Sequence, residues 1–250
     1  MKFRAKLRSL ALALTAGVML ATSASATTTV DMYDKNGYFP GVQSYFAAQG
    51  YTVNHIDDTF ASLSGADLVI INLPSRVFTA GQKQAISSYV TGGGRLILNG
   101  DWDAVGVTAY VNQILLDLGA TMRNSSGQFD TGFNITHDIV TNPFTTGVHA
   151  ITYALTSKII GGTALVRGLS GQVFVGYEAV GAGYVFAIAD ADVAAPNDFS
   201  GDNARLYCNF GNLGCGAVAG VPAPSAWASM VLGLGVLGAA IGLGRKRRPV

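Results

Sequence analysis

The sequence predicts an α/β fold: a three-layer sandwich on a mostly parallel, doubly wound sheet, with a late β-hairpin region and one C-terminal transmembrane helix. Three observations predict it. Between Asp67 and Asn99 the chain passes from an apolar run through an amphipathic run to a second apolar run, the spacing of a strand, helix and parallel strand. After Thr121, short β-rich runs between turns replace the helical spacing. Near the end, Ser225 to Gly244 gives twenty residues without a charge.

Taken in order, Thr28 to Tyr33 reads as a first strand, Gly41 to Gln49 as a helix ending at Gly50, and Tyr51 to Ile56 as a second strand. Asp67-LVIINL-Pro74 is an almost unbroken apolar strand of the kind buried on both faces. Thr79 with Gln82 three residues on forms a capping box that opens the helix AGQKQAISSYV, and Gly92-Gly93-Gly94 stops it before the strand Arg95 to Asn99. Val107 to Leu118 supplies the next helix. Further β runs fall at Lys158 to Ile160, Ala164 to Val166, Gln172 to Ala179 and Gly183 to Ala189, and Asp202 to Phe210 reads as a last helix.

The ends speak of destination. Lys2, Arg4, Lys6 and Arg8 precede an eleven-residue apolar run, Leu10 to Leu20, and small residues up to Ala26. That is the layout of a secretory signal peptide over residues 1–26, and its core is too short for a hydrocarbon layer needing about 20 residues. The uncharged span 225–244 would rise about 30 Å as a helix. Arg245, Lys246, Arg247 and Arg248 follow it and hold that end in the cytosol by the positive-inside rule. The body between, residues 27–220, therefore lies outside the inner membrane.

Charge narrows the partners. Half of the 16 basic residues lie in the two ends, so the span from Thr27 to Gly244 carries eight against 15 acidic ones, a net charge of −7. An acidic body has no basic face for phosphate backbones, which excludes nucleic acid. The only two cysteines, Cys208 and Cys215, close a short loop in an exported chain. A disulfide and a pair of free thiols both stand as readings.

Val221-Pro222-Ala223-Pro224-Ser225, the apolar span and the terminal basic cluster together resemble the PEP-CTERM sorting signal of Gram-negative bacteria. The resemblance implies processing by an exosortase, a transient anchor in the inner membrane, and release to the cell surface or medium, often beside exopolysaccharide. Ala223 stands where the family's tripeptide carries Glu.

The run ADLVIINLPSRVFTAGQKQAISSYVTGGGRLILNGD, with the later GAGYVFAIADAD and DNARLYCNF, resembles the class I glutamine-amidotransferase-like fold, a flavodoxin-like arrangement. For an active member the resemblance implies a Cys nucleophile at a sharp turn after a central strand, with a His base. Here that turn reads Asn99-Gly100-Asp101-Trp102-Asp103 and holds neither Cys nor Ser. His55, His137 and His149 have no Ser or Cys in an elbow motif to serve, so the fold carries over and the catalytic residues do not.

Ligands of open α/β sheets bind beyond the carboxyl ends of the strands. Those ends offer Asp34, Asp101, Trp102 and Asp103 as a ligand cleft, carboxylates beside an indole that would suit a sugar. They also offer Asp190, Asp192, Asp198 and Asp202 as oxygen ligands for Ca²⁺ or Mg²⁺. Aspartates equally cap helices and make turns, with Asp202 an obvious cap. Two functions follow from these readings: an exported, non-catalytic protein that binds glycan or protein, or an exported metal-dependent hydrolase of the same fold.

Overall fold

The computed structural model describes residues 27–35, 37–102, 106–195 and 199–215. The signal sequence 1–26, the motif Val221 to Pro224, the span 225–244 and the cluster Arg245 to Arg248 lie outside the described residues, as do Asp103 and Asp198. Among the described residues no helix is long and apolar enough to cross a membrane.

The first half alternates as the apolar pattern anticipates: β1 (Thr29–Tyr33), α1 (Pro40–Ala48), β2 (Thr52–Ile56), β3 (Leu68–Asn72), α2 (Ala80–Thr91), β4 (Arg95–Asn99) and α3 (Val107–Asp117). The second half is β-rich: β5 (Arg123–Asn124), β6 (Phe133–Thr136), β7 (Ile151–Ala154), β8 (Ile159–Ile160), β9 (Thr163–Arg167), β10 (Val173–Val180) and β11 (Gly183–Ile188), closed by α4 (Gly201–Gly211). Seven strands form the central sheet in the order β2-β1-β3-β4-β11-β10-β9. The pairings from β2 across to β11 are parallel, and β10 and β9 extend that edge antiparallel.

Burial follows that order. All of β3 and nearly all of β4 are buried, which explains their unbroken apolar runs, whereas the edge strand β2 carries polar, exposed Asn54 and His55. The crossover from β1 moves outward to β2 and that from β3 moves the opposite way to β4, so right-handed connections place α1 and α2 on opposite faces. Contacts agree. The hydroxyl of Tyr45 on α1 lies 3.6 Å from Cys208 Sγ of α4, and Lys83 of α2 pairs with Asp117 of α3 at 2.9 Å.

Two local devices hold the frame. The capping box forms, Thr79 N–H donating to Gln82 Oε1 at 3.0 Å, and Gln82 Nε2 reaches on to the Asp58 carbonyl at 2.9 Å, so one side chain starts α2 and pins the connection after β2. The glycine stop serves the sheet as well. A Cβ on Gly183 would lie 2.2 Å from the carbonyl oxygens of Gly94 and Val90, so β11 enters beside β4 only because both backbones are bare there.

On the α1 face, α4 docks through Phe210, stacked on Phe186 of β11 with ring centroids 4.1 Å apart. Both rings are fully buried, worth about 1.5–3 kcal/mol each by area. Cys208 and Cys215 are joined, with Cα atoms 5.7 Å apart, which settles the pair as a disulfide. The ribbon of β6 and β7 was not foreseen; each strand has four residues and pairs antiparallel with the other.

Candidate functional site

The carboxyl ends of the parallel strands share one edge of the sheet, and most of the singled-out aspartates lie there. Strand pairing sets which of them meet. Ile188 of β11 sits opposite Asn99 of β4, so Asp190 and Asp101, each two residues further on, leave the sheet side by side. Asp192 follows in a short 3₁₀ turn capped by Asp190. These three feel one another's charge.

Asp190 is fully buried. Its two oxygens accept the N–H groups of Ala154 and Asp192, both at 2.7 Å. Burial nonetheless pushes its carboxyl up to about 8, only partly offset by those N–H groups and reinforced by the charges of Asp192 and Asp101. Asp101 is pushed up to about 6, again by burial, and accepts the N–H of Trp102 at 2.7 Å. Asp192 is raised by burial too. At neutral pH the Asp190 carboxyl is therefore largely protonated, a hydrogen-bonding group more than a hard anion.

Other predicted residues stand apart. Asp34 is separated from Asp101 by β3, and its oxygens accept the N–H groups of Tyr38 and Phe39 at 3.1 and 2.9 Å, so it shapes the turn into α1 instead of joining the cleft. Asp202 is not the cap of α4. The helix begins at Gly201, Ser200 occupies the cap position, and Asp202 accepts the N–H groups of His149 and Ala150 at 2.7 and 3.0 Å. It clamps the entry of β7 to the first turn of α4 and lines a cavity of about 500 Å³ with Ala150, Thr152, Phe199 and Asn203. Among the described residues no three His, Cys, Asp or Glu side chains come close enough to hold a metal ion.

A buried polar chain behind the aspartates escaped the sequence reading. Tyr207 donates to Asn99 Oδ1 at 2.7 Å, and Asn99 Nδ2 donates to Asn72 Oδ1. Nearby Ser157 donates to Asn124 at 2.6 Å. The signal was present in LVIIN and RLILN, two buried strands that both end in Asn. At the turn beyond β4, a Cβ on Gly100 would lie 2.6 Å from Asn124 Nδ2, and Asn99, Asp101 and Trp102 all avoid the left-handed region. Across Asn99 to Trp102, among the described residues, no strained nucleophile-bearing elbow is built. Of the histidines, His55 lies on β2 and His137 contacts the carbonyl of His149 at 3.0 Å.

No protein-family model and no curated protein matches the chain. Among solved structures it is similar to the N-terminal domain of mmIFT52, at 14% identity and a TM-score of 0.56, over 72% of this chain and 93% of that one. It is also similar to a GMP synthase protein from Thermoplasma acidophilum, at 13% identity and a TM-score of 0.51, over 74% of this chain and 93% of that one. The fold is amidotransferase-like. A β-galactosidase from Bacillus circulans sp. alkalophilus matches at 15% identity and a TM-score of 0.53, over 75% of this chain but 31% of its own length. At such identities the likeness concerns the fold alone. Within this amidotransferase-like frame the strand order β2-β1-β3-β4-β11 is the flavodoxin-like doubly wound order, and the turn after β4 presents Asp101 and Trp102.

Proposed function

We propose that the chain is an exported cell-envelope protein whose amidotransferase-like domain binds a glycan and does not cleave it. One observation carries the reading. The turn after β4 presents half-buried Asp101, its carboxyl pushed up to about 6 by burial, and half-buried Trp102, with fully buried Asp190 next to Asp101, where a catalytic cysteine of this fold would stand. The Asp101 carboxylate accepts from sugar hydroxyls, and an indole matches the apolar face of a sugar ring.

Delivery is the other half of the reading. Residues 1–26 direct export, the tail from Val221 to Arg248 anchors the precursor in the inner membrane, and an exosortase removes it, leaving the domain at the cell surface or in the surrounding exopolysaccharide. The formed Cys208–Cys215 bridge supports an oxidising compartment. The net charge of the body supports a soluble life once released.

Two measurements test it. Mass spectrometry of the exported protein from a host with an exosortase should find chains starting at Thr27 and lacking Gly238 to Arg248; extracellular chains that retain that peptide would refute removal. A glycan array probed with the full chain should give binding that Trp102→Ala abolishes while the circular dichroism spectrum stays unchanged. Equal binding by Trp102→Ala would remove this edge as the glycan site.

A further inference from the structure

We propose that the outer edge of β6 is a self-association site, at which a second copy of this chain pairs antiparallel about a two-fold axis through Asn134. The fold closes one edge of the β6 and β7 ribbon and leaves the other open. Along β7, Asp202 accepts the N–H of Ala150 at 3.0 Å, Asn203 accepts that of Thr152 at 3.0 Å and donates to its carbonyl at 2.8 Å, and Asp190 accepts that of Ala154 at 2.7 Å. Every second residue of that strand is thus satisfied from outside the ribbon, so Ile151 and Tyr153 are the ones turned toward β6.

The register carries this alternation across. Ile151 sits opposite Thr136 and Tyr153 opposite Asn134, which leaves the backbone N–H and C=O groups of Phe133 and Ile135 pointing away from β7. Among the described residues neither one makes a backbone hydrogen bond beyond the ribbon. Their side chains are 85% and 55% exposed. The chain then turns aside, with the Ile139 N–H donating to the His137 carbonyl at 2.9 Å, and residues 138 to 140 go to the edge of β9, where the Arg167 N–H donates to the Asp138 carbonyl at 3.0 Å.

Folds blunt an open edge with lysine, proline, a bulge or an inward charge. The strand FNIT holds no charge and no proline, and its register with β7 runs without a shift. The nearest carboxylates on either side are occupied: Asp130 by Tyr153, Ser170 and Gln172, and Asp138 by Arg167 at 3.5 Å. In a body whose net charge is −7, this uncharged strip is where a second copy approaches without like charges meeting.

The edge is also complementary to itself. With Asn134 on the axis, Phe133 meets Ile135 of the partner subunit and Ile135 meets the partner's Phe133. Every outward N–H and C=O of both copies then finds a partner, and twice an aromatic ring lies across from a β-branched side chain. The arrangement closes on itself and stops at a dimer. Ile135 also stands across from Thr152, which lines the cavity of about 500 Å³ beside α4, so the partner's Phe133 extends the wall of that cavity. Strands this short bury well under the roughly 1,200–2,000 Å² of a stable complex, so the pairing is weak and has to be trapped.

Mild oxidation of full chains carrying one added cysteine tests the proposal, because both native cysteines are already joined. Asn134→Cys should give a disulfide-linked dimer on a non-reducing gel, since residues meeting on the axis fall within the roughly 4.4–6.8 Å between Cα atoms that a bridge needs. Leu116→Cys, exposed on α3, should link only at background and measures association through any other part of the chain. Phe133→Cys and Ile135→Cys should each link poorly alone and well when mixed, which reads the register with the Asn134 side chain intact. Ile135→Lys or Ile135→Pro, added to Asn134→Cys, should cut linking about tenfold or more with the circular dichroism spectrum unchanged, because the outward N–H of Ile135 serves nothing inside the fold. Linking no faster than in Leu116→Cys by both Asn134→Cys and the mixed pair, or linking that Ile135→Lys leaves intact, would overturn the proposal and leave the edge to an extended segment of another protein. Glycan binding at Trp102 bears on none of these outcomes.

Discussion

Asp190 should make the protein lose stability as pH rises through the neutral range, the reverse of a salt-bridged carboxylate. Its carboxyl titrates at about 8 in the fold, raised first by burial, whereas an aspartate in an unfolded chain titrates near 3.9. Between those values the folded chain holds a proton that the unfolded chain has released. Stability then falls with rising pH by up to about 1.36 kcal/mol per unit, and the whole shift sets a ceiling of about 6 kcal/mol. Asp101 and Asp192 are raised as well and act with the same sign. Asp58 and Asp130 are lowered, so their contributions vanish only below the ordinary carboxylate range and do not cancel the trend.

Urea unfolding of the full chain followed by circular dichroism, at constant ionic strength from about pH 4.5 to about pH 8.5, should show a fall of roughly 2 kcal/mol or more. Asp190→Asn should flatten that slope. Its amide faces one backbone N–H with a second donor, which costs about 1–3 kcal/mol at every pH, so the two curves should converge at the alkaline end. Stability that stays level or rises across this window in the wild type would refute the reasoning, as would a variant that keeps the full slope.

Asp130→Ala should destabilise by about 3 kcal/mol in the same assay, because it strips the acceptor from fully buried Tyr153 at 2.9 Å, from Gln172 at 2.8 Å and from the Ser170 backbone at 2.9 Å. Reducing the Cys208–Cys215 bridge, whose cysteines lie seven residues apart, should remove about 2–3 kcal/mol and lower the melting temperature by about 5–10 °C in a calorimetric scan. Gly183→Ala should give mostly insoluble protein or a loss above about 3 kcal/mol, since the added methyl meets two backbone carbonyls at 2.2 Å that cannot swing aside; a soluble variant of wild-type stability would contradict the close approach of β11 to the glycine turn.

The elements legible in the sequence are those whose causes are local. Thr79 and Gln82 announce α2 because a capping box spans four residues, and LVIIN and RLILN announce β3 and β4 because strands buried on both faces need apolar side chains throughout. The β6–β7 ribbon was illegible for the opposite reason. FNIT and ITYA are too short for periodicity to count, and their pairing, Asn134 opposite Tyr153, exists only once the intervening chain has turned back.

The same division governs the sites. Sequence shows which residues end strands, but only strand order shows which ends are neighbours. Asp34 and Asp101 both follow parallel strands, yet β3 stands between them, whereas Asp101 and Asp190 meet because β11 returns from far along the chain to lie beside β4. Lys35 and Arg76 are isolated charges in the sequence and become a pair only because β1 and β3 adjoin, with Asp58 delivered from β2 on the other side of β1. An edge assembled in this way sets Asp101 beside Asp190 at β4 and β11 and gathers Lys35 and Arg76 about Asp58 at β1 and β3.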